Sequence, residues 1–293
     1  MSEKEYYLKV GKIHKEVCEK VKPLIKPGEK LLDITKKIES IIQEYDVSLA
    51  FPVNLQLNNL VHYTPLPEDE IVLKDDDLVK VDIGLHIDGY IADGAFTVTF
   101  DNNYQDMVDF TEKTLKKVLT DLKPGMLISE IGKRLDEEMK NSKYKIIRNL
   151  QGHQLKQWEL HSTKSVPVFK TESKNKLEIG EAYAVEIFIT DGDGWINASN
   201  KALIYAITKV TVPVRNPKVK KLILEIKKRR KSFPFSERYI YDHLKYSKVD
   251  FFLLKKTENI LEYPILVENP NSKIAQFEDV IFVDEKEVII TTK

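Results

Sequence analysis

The strongest constraint on this chain is that it repeats itself. KPGEKLLDITKKIE at 26–39 returns about a hundred residues later as KPGMLISEIGKRLD at 123–136. Asn54-Leu55-Gln56 has a counterpart in Asn149-Leu150-Gln151, and LVHYT at 60–64 in ELHST at 159–163. LKDDDLVKVDI at 73–83 matches LEIGEAYAVEI at 177–187. These matches pair His62 with His161 and Asp82 with Glu186. The offset drifts through 97, 95, 99 and 104, but the order never breaks. Four matches in register speak for duplication of one supersecondary unit. The chain is therefore expected to hold two halves related by a pseudo-twofold axis.

Each half runs from helix to strand. Tyr6, Val10, Ile13, Val17 and Val21 have the spacing of one helix face, ended by Pro23 and Pro27-Gly28. Leu31, Ile34, Ile38, Ile41 and Tyr45 predict a second helix. From Phe51 to Phe100 the runs LVKVDIGLHI and YIADGAFTVTF read as β, with a turn at Asp88-Gly89. Helices are expected again over 104–122 and 127–140, then strands and loops over 144–190. The fold class is α+β.

The second half is then interrupted. After Asp82 the partner strand begins within eight residues, whereas after Glu186 the chain crosses a long basic stretch before AQFEDVIFVDEKEVIITT at 275–292. Between Arg215 and Lys256 there are 14 basic and 4 acidic side chains, a balance of +10 in a chain whose 46 basic and 46 acidic residues cancel. The expected division is a catalytic domain of 1–195 plus 265–293 and a small inserted helical, winged-helix-like subdomain at 196–264. Helices are predicted at 216–231, 236–246 and near 255–262. A surface loop accepts such an insertion at low entropic cost. The run Lys227–Lys231 reads either as a solvated helix face or as a contact for an anionic partner such as ribosomal RNA.

Several classes are excluded. No apolar run approaches the ~18 residues of a membrane helix, and the charged MSEKEYYLKV start lacks a signal peptide's apolar core. Cys18 is the only cysteine, so intrachain disulfides and thiolate cages are ruled out and a reducing, cytoplasmic setting is expected. It reads as a small buried apolar residue. No Gly-rich phosphate loop or serine elbow is present. His14 and His243 read as surface residues, and His86 as facing either way.

Chemistry concentrates in five residues. Asp82 in V-D-I, Asp93 in A-D-G, Glu186 in V-E-I and Glu278 in F-E-D interrupt strongly apolar strands. An ionised carboxylate there costs several kcal/mol unless paired or metal-bound. With His153, in Gly152-His153-Gln154, they make a ligand set suited to two divalent ions such as Mn, Co, Fe or Zn. The duplication pairs Asp82 with Glu186, and is expected to pair Asp93 with Glu278 on the following strands.

FPVNLQLNNLVHYTP, VKVDIGLHIDGYIADGAFTV, NLQGHQLKQWELH, YAVEIFIT and AQFEDVIFV together resemble methionine aminopeptidase of type II, with the pita-bread fold. The resemblance spans nearly the whole chain. It implies that Asp93 and Glu278 bridge two metals, that Asp82 completes one, and that His153 and Glu186 complete the other. It further implies that His62 and His161 line the substrate site, that Phe51 walls a methionine pocket, and that Glu186 shuttles a proton. The implied activity is removal of the initiator methionine from nascent polypeptides; a monomer is expected, and the charge of the basic insert allows a ribosome contact. Departures fall at Glu186-Ile187-Phe188, where the family usually has Glu-Pro-Phe, and at Phe277-Glu278-Asp279-Val280, where it usually has Phe-Glu-His-Thr. His161-Ser162-Thr163 stands where His-Ala-Gly is common. Ile187 and Ser162 therefore bear on pocket shape, while Asp279 is expected to point away from Glu278. An X-Pro hydrolase of the same fold ranks lower, because those relatives usually carry an extra N-terminal domain and this chain begins with the catalytic half. A non-catalytic RNA-binding relative predicts missing ligands, and none is missing.

Overall fold

In the computed structural model, residues 1–208, 210 and 212–293 are described. Helix α1 (Glu3–Val21) starts in a capping box: the Ser2 hydroxyl accepts from the Glu5 N–H and the Glu5 carboxylate accepts from the Ser2 N–H. Its buried face is Tyr7, Val10, Gly11, His14, Val17 and Val21, so His14 is buried, contrary to the surface position expected for it. The shift follows from a neighbour the helical pattern does not reveal: His14 lies against Gly94, where a β-carbon would come within 2.5 Å of its ring. Its Nε2 bonds the Ile83 carbonyl at 2.9 Å. Cys18 is half-buried beside it.

α2 (Leu31–Ile42) leads to short strands β1 (Ser48–Leu49), β2 (Asn54–Leu57) and β3 (Leu60–Val61). The hairpin β4 (Leu78–Ile87) and β5 (Tyr90–Thr99) turns at Asp88 and Gly89, both at positive φ, as a two-residue loop requires. α3 (Asn102–Val118) and α4 (Ser129–Met139) open the second half, followed by β6 (Lys145–Ile146), β7 (Gly152–Leu155), β8 (Ser165–Val166) and β9 (Ala182–Thr190). β10 (Asn197–Ile207), α5 (Pro217–Arg230), β11 (Phe235–Ser236), α6 (Lys248–Lys255) and β12 (Ile260–Val267) make up the basic stretch. β13 (Ile274–Val283) and β14 (Val288–Ile290) close the chain.

The main antiparallel sheet runs β1-β4-β5-β13-β9-β7-β8, with β2 on β4, β6 on β9 and β14 on β13. The last long strand thus slots between the two halves. α1 packs on β4 and β5, and α3 on β5, β9 and β13, covering one face of the sheet. No helix among the described residues is long and apolar enough to cross a membrane.

The repeat survives as backbone geometry. Gly28 (φ 85°) donates its N–H to the Leu73 carbonyl at 2.8 Å, and Gly125 (φ 81°) to Leu177 at 2.7 Å. Two details of the alignment differ. Asn54 faces Asp82, and His153 faces Ala184, two residues before Glu186. The sheet therefore makes Gln56, not Asn58, the counterpart of the strand position at His153, two residues from the string match. Likewise Asp93 faces Gly84, whereas Glu278 faces Glu186 directly, so these two acids are offset by one pleat rather than equivalent. A match of residue types does not fix strand register.

The basic stretch also departs from three successive helices. α5 stands close to 216–231, but Phe235–Ser236 is a strand and Tyr239–His243 a single π-helical turn. The third helix lies at 248–255, and 260–267 is strand β12, which pairs with β10 and, through Leu266 and Val267, with β3. β11, β10, β12 and β3 form a second sheet, so this stretch is tied by hydrogen bonds to the loop that carries His62.

Candidate metal centre and pocket

Strand register alone brings five residues to one face. Directly opposed residues share a face, as do residues two apart. Asp82 faces Ala95, which stands two residues from Asp93. Glu278 faces both Ala95 and Glu186, and His153 faces Ala184 beside Glu186. The face is the one turned away from α1 and α3. Asp93 (3% exposed) and Glu278 (5%) are buried, whereas Asp82, His153 and Glu186 keep an edge on the pocket.

Ligand atoms of Asp93, His153 and Glu278 lie within 4.8 Å of one another, with His153 Nε2 3.8 Å from Asp93 Oδ2. Burial drives all four acids upward. Asp82 is pushed up to about 7 by burial. Glu186 reaches about 8 by burial and the Asp82 charge. Asp93 and Glu278 are held well above the carboxylate range by burial and then by the surrounding carboxylates. Burial conversely holds His153 well below its usual value. Asp82 Oδ1, Asp93 Oδ1 and His153 Nδ1 are buried without a hydrogen-bond partner. Four carboxylates, a neutral imidazole and no lysine or arginine in the lining make a donor set that fits divalent cations.

The pocket above these residues is lined by Phe51, Asn54, His62, Leu160, His161, Ile204, Pro234 and Tyr263. His161 meets His153 edge-on with ring centroids 4.3 Å apart. His62, at φ 59°, projects from the turn after β3 and is pushed down to about 4 by burial. Phe51 sits on Gly84, where a β-carbon would come within 2.1 Å of the ring. The expected residues Phe51, His62 and His161 thus converge with the five ligand candidates. Ile187 and Ser162 do not line the pocket. Ile187 alternates away from Glu186 into the helix-facing core, so its departure from the family pattern leaves the pocket untouched. Asp279 also turns away, and accepts from the Thr292 hydroxyl at 2.8 Å.

Five lining residues are not among the expected site residues, and the first, Asn54, enters the sequence reading only as part of the repeat. Ile204, Pro234 and Tyr263 come from the basic stretch, and Ile204 faces Tyr263 across β10 and β12. Leu160 immediately precedes His161, the one signal that would have found it. The run Lys227–Lys231 is not a uniform solvated face, because Arg230 is buried.

Comparison with known proteins agrees with this chemistry. The model of metallopeptidase family M24 matches residues 5–285. The methionine aminopeptidase of Methanocaldococcus jannaschii is 38% identical over 290 residues, covering 99% of this chain and 98% of its own. Among solved structures, a thermophilic Arx1 superposes with a TM-score of 0.80 at 19% identity, covering 98% of this chain and 89% of that one. The methionine aminopeptidase of Thermotoga maritima gives 0.71 at 21% identity, covering 99% and 96%. At those identities the likeness is one of fold, the pita-bread architecture that the resemblance implied. The match of the family model along nearly the whole chain, with a relative at 38% identity, places this chain in metallopeptidase family M24.

Proposed function

We propose that this chain is a methionine aminopeptidase of type II, which hydrolyses the first peptide bond of nascent proteins and peptides to release the initiator methionine. The observation that carries the reading is the junction of a carboxylate-rich cation site with a short pocket walled by Phe51, Leu160, Ile204 and Tyr263. Asp82, Asp93, His153, Glu186 and Glu278 would hold two divalent ions, Mn, Co, Fe or Zn. When bound, such ions supply Lewis acidity toward a peptide carbonyl and lower the pKa of water. The protein's own groups do the remainder. Phe51 packs on the methionine side chain, and His62 holds the substrate's amino end. His161 donates a ring N–H to the carbonyl oxygen as charge builds there. Glu186, ionised as a ligand, would take up a proton through its free carboxylate oxygen and pass it to the departing amine.

Residues 196–264 would form a winged-helix-like insert on a catalytic domain of 1–195 plus 265–293. Its basic surface would face the ribosome, and the enzyme would work as a cytoplasmic monomer. The single cysteine supports the reducing setting, and the local charge of +10 supports the surface facing the ribosome.

The test is residue release from Met-Ala-Ser, Leu-Ala-Ser and Ala-Pro-Ser peptides with Mn or Co, with chelator as control. Metal-dependent release of methionine alone is expected. Cleavage of the Ala-Pro bond would move the reading to an X-Pro hydrolase, and no release with any metal would move it to a binding role. Asp82→Ala is expected to abolish turnover while the fold persists, and a fully active variant would remove Asp82 from the site.

A further inference from the structure

Arg230 ends α5 inside the run that reads as a polyanion contact, yet it is 8% exposed. Its Nη1–H donates to the Leu49 carbonyl at 2.6 Å, and its Nη2–H to the Ala50 carbonyl at 3.0 Å and to the Pro234 carbonyl. The Tyr239 ring lies 5.4 Å from the guanidinium carbon. Ala50 is joined to Phe51, and Phe51 and Pro234 are two walls of the pocket. One planar cation therefore grips the backbone of both walls, about 180 residues apart in sequence. Phe51 has little freedom on its other side, because its ring rests on Gly84 and the Ala50 N–H donates to the Gly84 carbonyl at 2.8 Å.

We propose that Arg230 is a positioning residue that sets the spacing of Phe51 and Pro234, and through it the width of the side-chain pocket and its selectivity for an unbranched side chain. The inference rests on the aminopeptidase reading. A lysine keeps the charge but, as a point charge on a flexible stem, it does not reproduce a rigid fork bonded to three carbonyls. Arg238 provides the contrast. It is also buried, donating to Glu39 at 2.9 and 2.7 Å and to the Pro65 carbonyl at 2.9 Å, so it joins the same two parts of the molecule away from the pocket lining.

The experiment measures kcat and KM for Met-Ala-Ser, norleucyl-Ala-Ser and Leu-Ala-Ser with the wild type, Arg230→Lys and Arg238→Lys, each loaded with Mn. Arg230→Lys is expected to lower the Met-to-Leu ratio of kcat/KM by about tenfold, the scale of one methylene in a fitted pocket. The loss should lie mainly in KM, with Mn affinity by calorimetry unchanged. Arg238→Lys should lower thermal stability and leave the ratio alone. Should Arg230→Lys fail to fold, Tyr239→Leu, which uncovers the guanidinium, is expected to move the ratio in the same direction. Phe51→Leu combined with Arg230→Lys should change the ratio no more than Phe51→Leu alone. An unchanged ratio in Arg230→Lys, equal effects of the two arginine variants, or additive effects with Phe51→Leu would each overturn the proposal. A wild type that releases no methionine would overturn the aminopeptidase reading and this inference together.

Discussion

Asp82 is oriented by a chain of amides whose polarity is set by a backbone group. The His62 N–H can only donate, so Gln56 presents its Oε1, at 2.6 Å. That leaves the Gln56 Nε2–H for Gln276 Oε1 at 2.8 Å, and turns the Gln276 Nε2–H toward Asp82 Oδ2 at 3.4 Å. The chain ends on a donor, which favours the ionised carboxylate that a cation needs. Groups of this kind around metal ligands typically contribute about 10–100-fold in affinity or activity. Gln276→Met, which keeps length and removes the amide, is expected to weaken Mn binding by about tenfold in calorimetry, and unchanged binding would reduce the relay to packing. The ligand candidates themselves are legible in sequence because carboxylates inside apolar strands need a reason to be there. The relay is not, because its members lie 220 and 194 residues apart and none of them stands out in composition.

At the scale of elements, β4 and β5 work as a two-sided plate. Gly84 faces Asp93 on the pocket side and leaves room for Phe51, while Gly94 faces Ile83 on the helix side and leaves room for His14. A methyl group at either position collides with a ring, at 2.1 and 2.5 Å respectively, and overpacking of this kind costs about 1–3 kcal/mol. The consequences should separate by face. Gly84→Ala is expected to displace Phe51 and raise KM for methionyl peptides, whereas Gly94→Ala should lower the melting temperature and leave KM unchanged. Steady-state kinetics beside thermal unfolding checks both, and a KM effect from Gly94→Ala would break the division. The paired helix and strand units could be read in sequence because the Lys-Pro-Gly turns and apolar periods are local signals. The pleat offset of Asp93 against Glu278 could not, since register is fixed by neighbouring strands. The helix expected near 255–262 stands at 248–255 for the same reason. Residues 260–267 pair with β10, and their local sequence does not announce that partner.

Across the whole molecule, the four carboxylates make the metal-free protein sensitive to pH in a calculable direction. Their folded pKa values stand above the ordinary range of about 4: Asp82 at about 7, Glu186 at about 8, and Asp93 and Glu278 well above that range through burial and their neighbouring carboxylates. The folded state therefore holds protons that the unfolded chain has released, and stability falls as pH rises from about 4 through those values. His14, His62 and His86, each lowered by burial to about 4, act in the opposite sense, with stability lost as pH falls below the ordinary histidine value. The two sets oppose each other between about pH 4 and 6.5; above that the four carboxylates act against Lys80 alone among the described lysines, whose ammonium burial holds well below its usual value. Each proton retained there costs about 1.4 kcal/mol per pH unit, a shift of about 3–6 °C in melting temperature for a domain of 150–250 residues. Cation binding removes the dependence, because the ligands are then ionised in both states. Chelator-treated protein should thus lose melting temperature between pH 6.5 and 8.5 while Mn-loaded protein stays level, so that the gap between them widens with pH. Parallel curves for the two forms would mean that the carboxylate cluster is not where the cation binds.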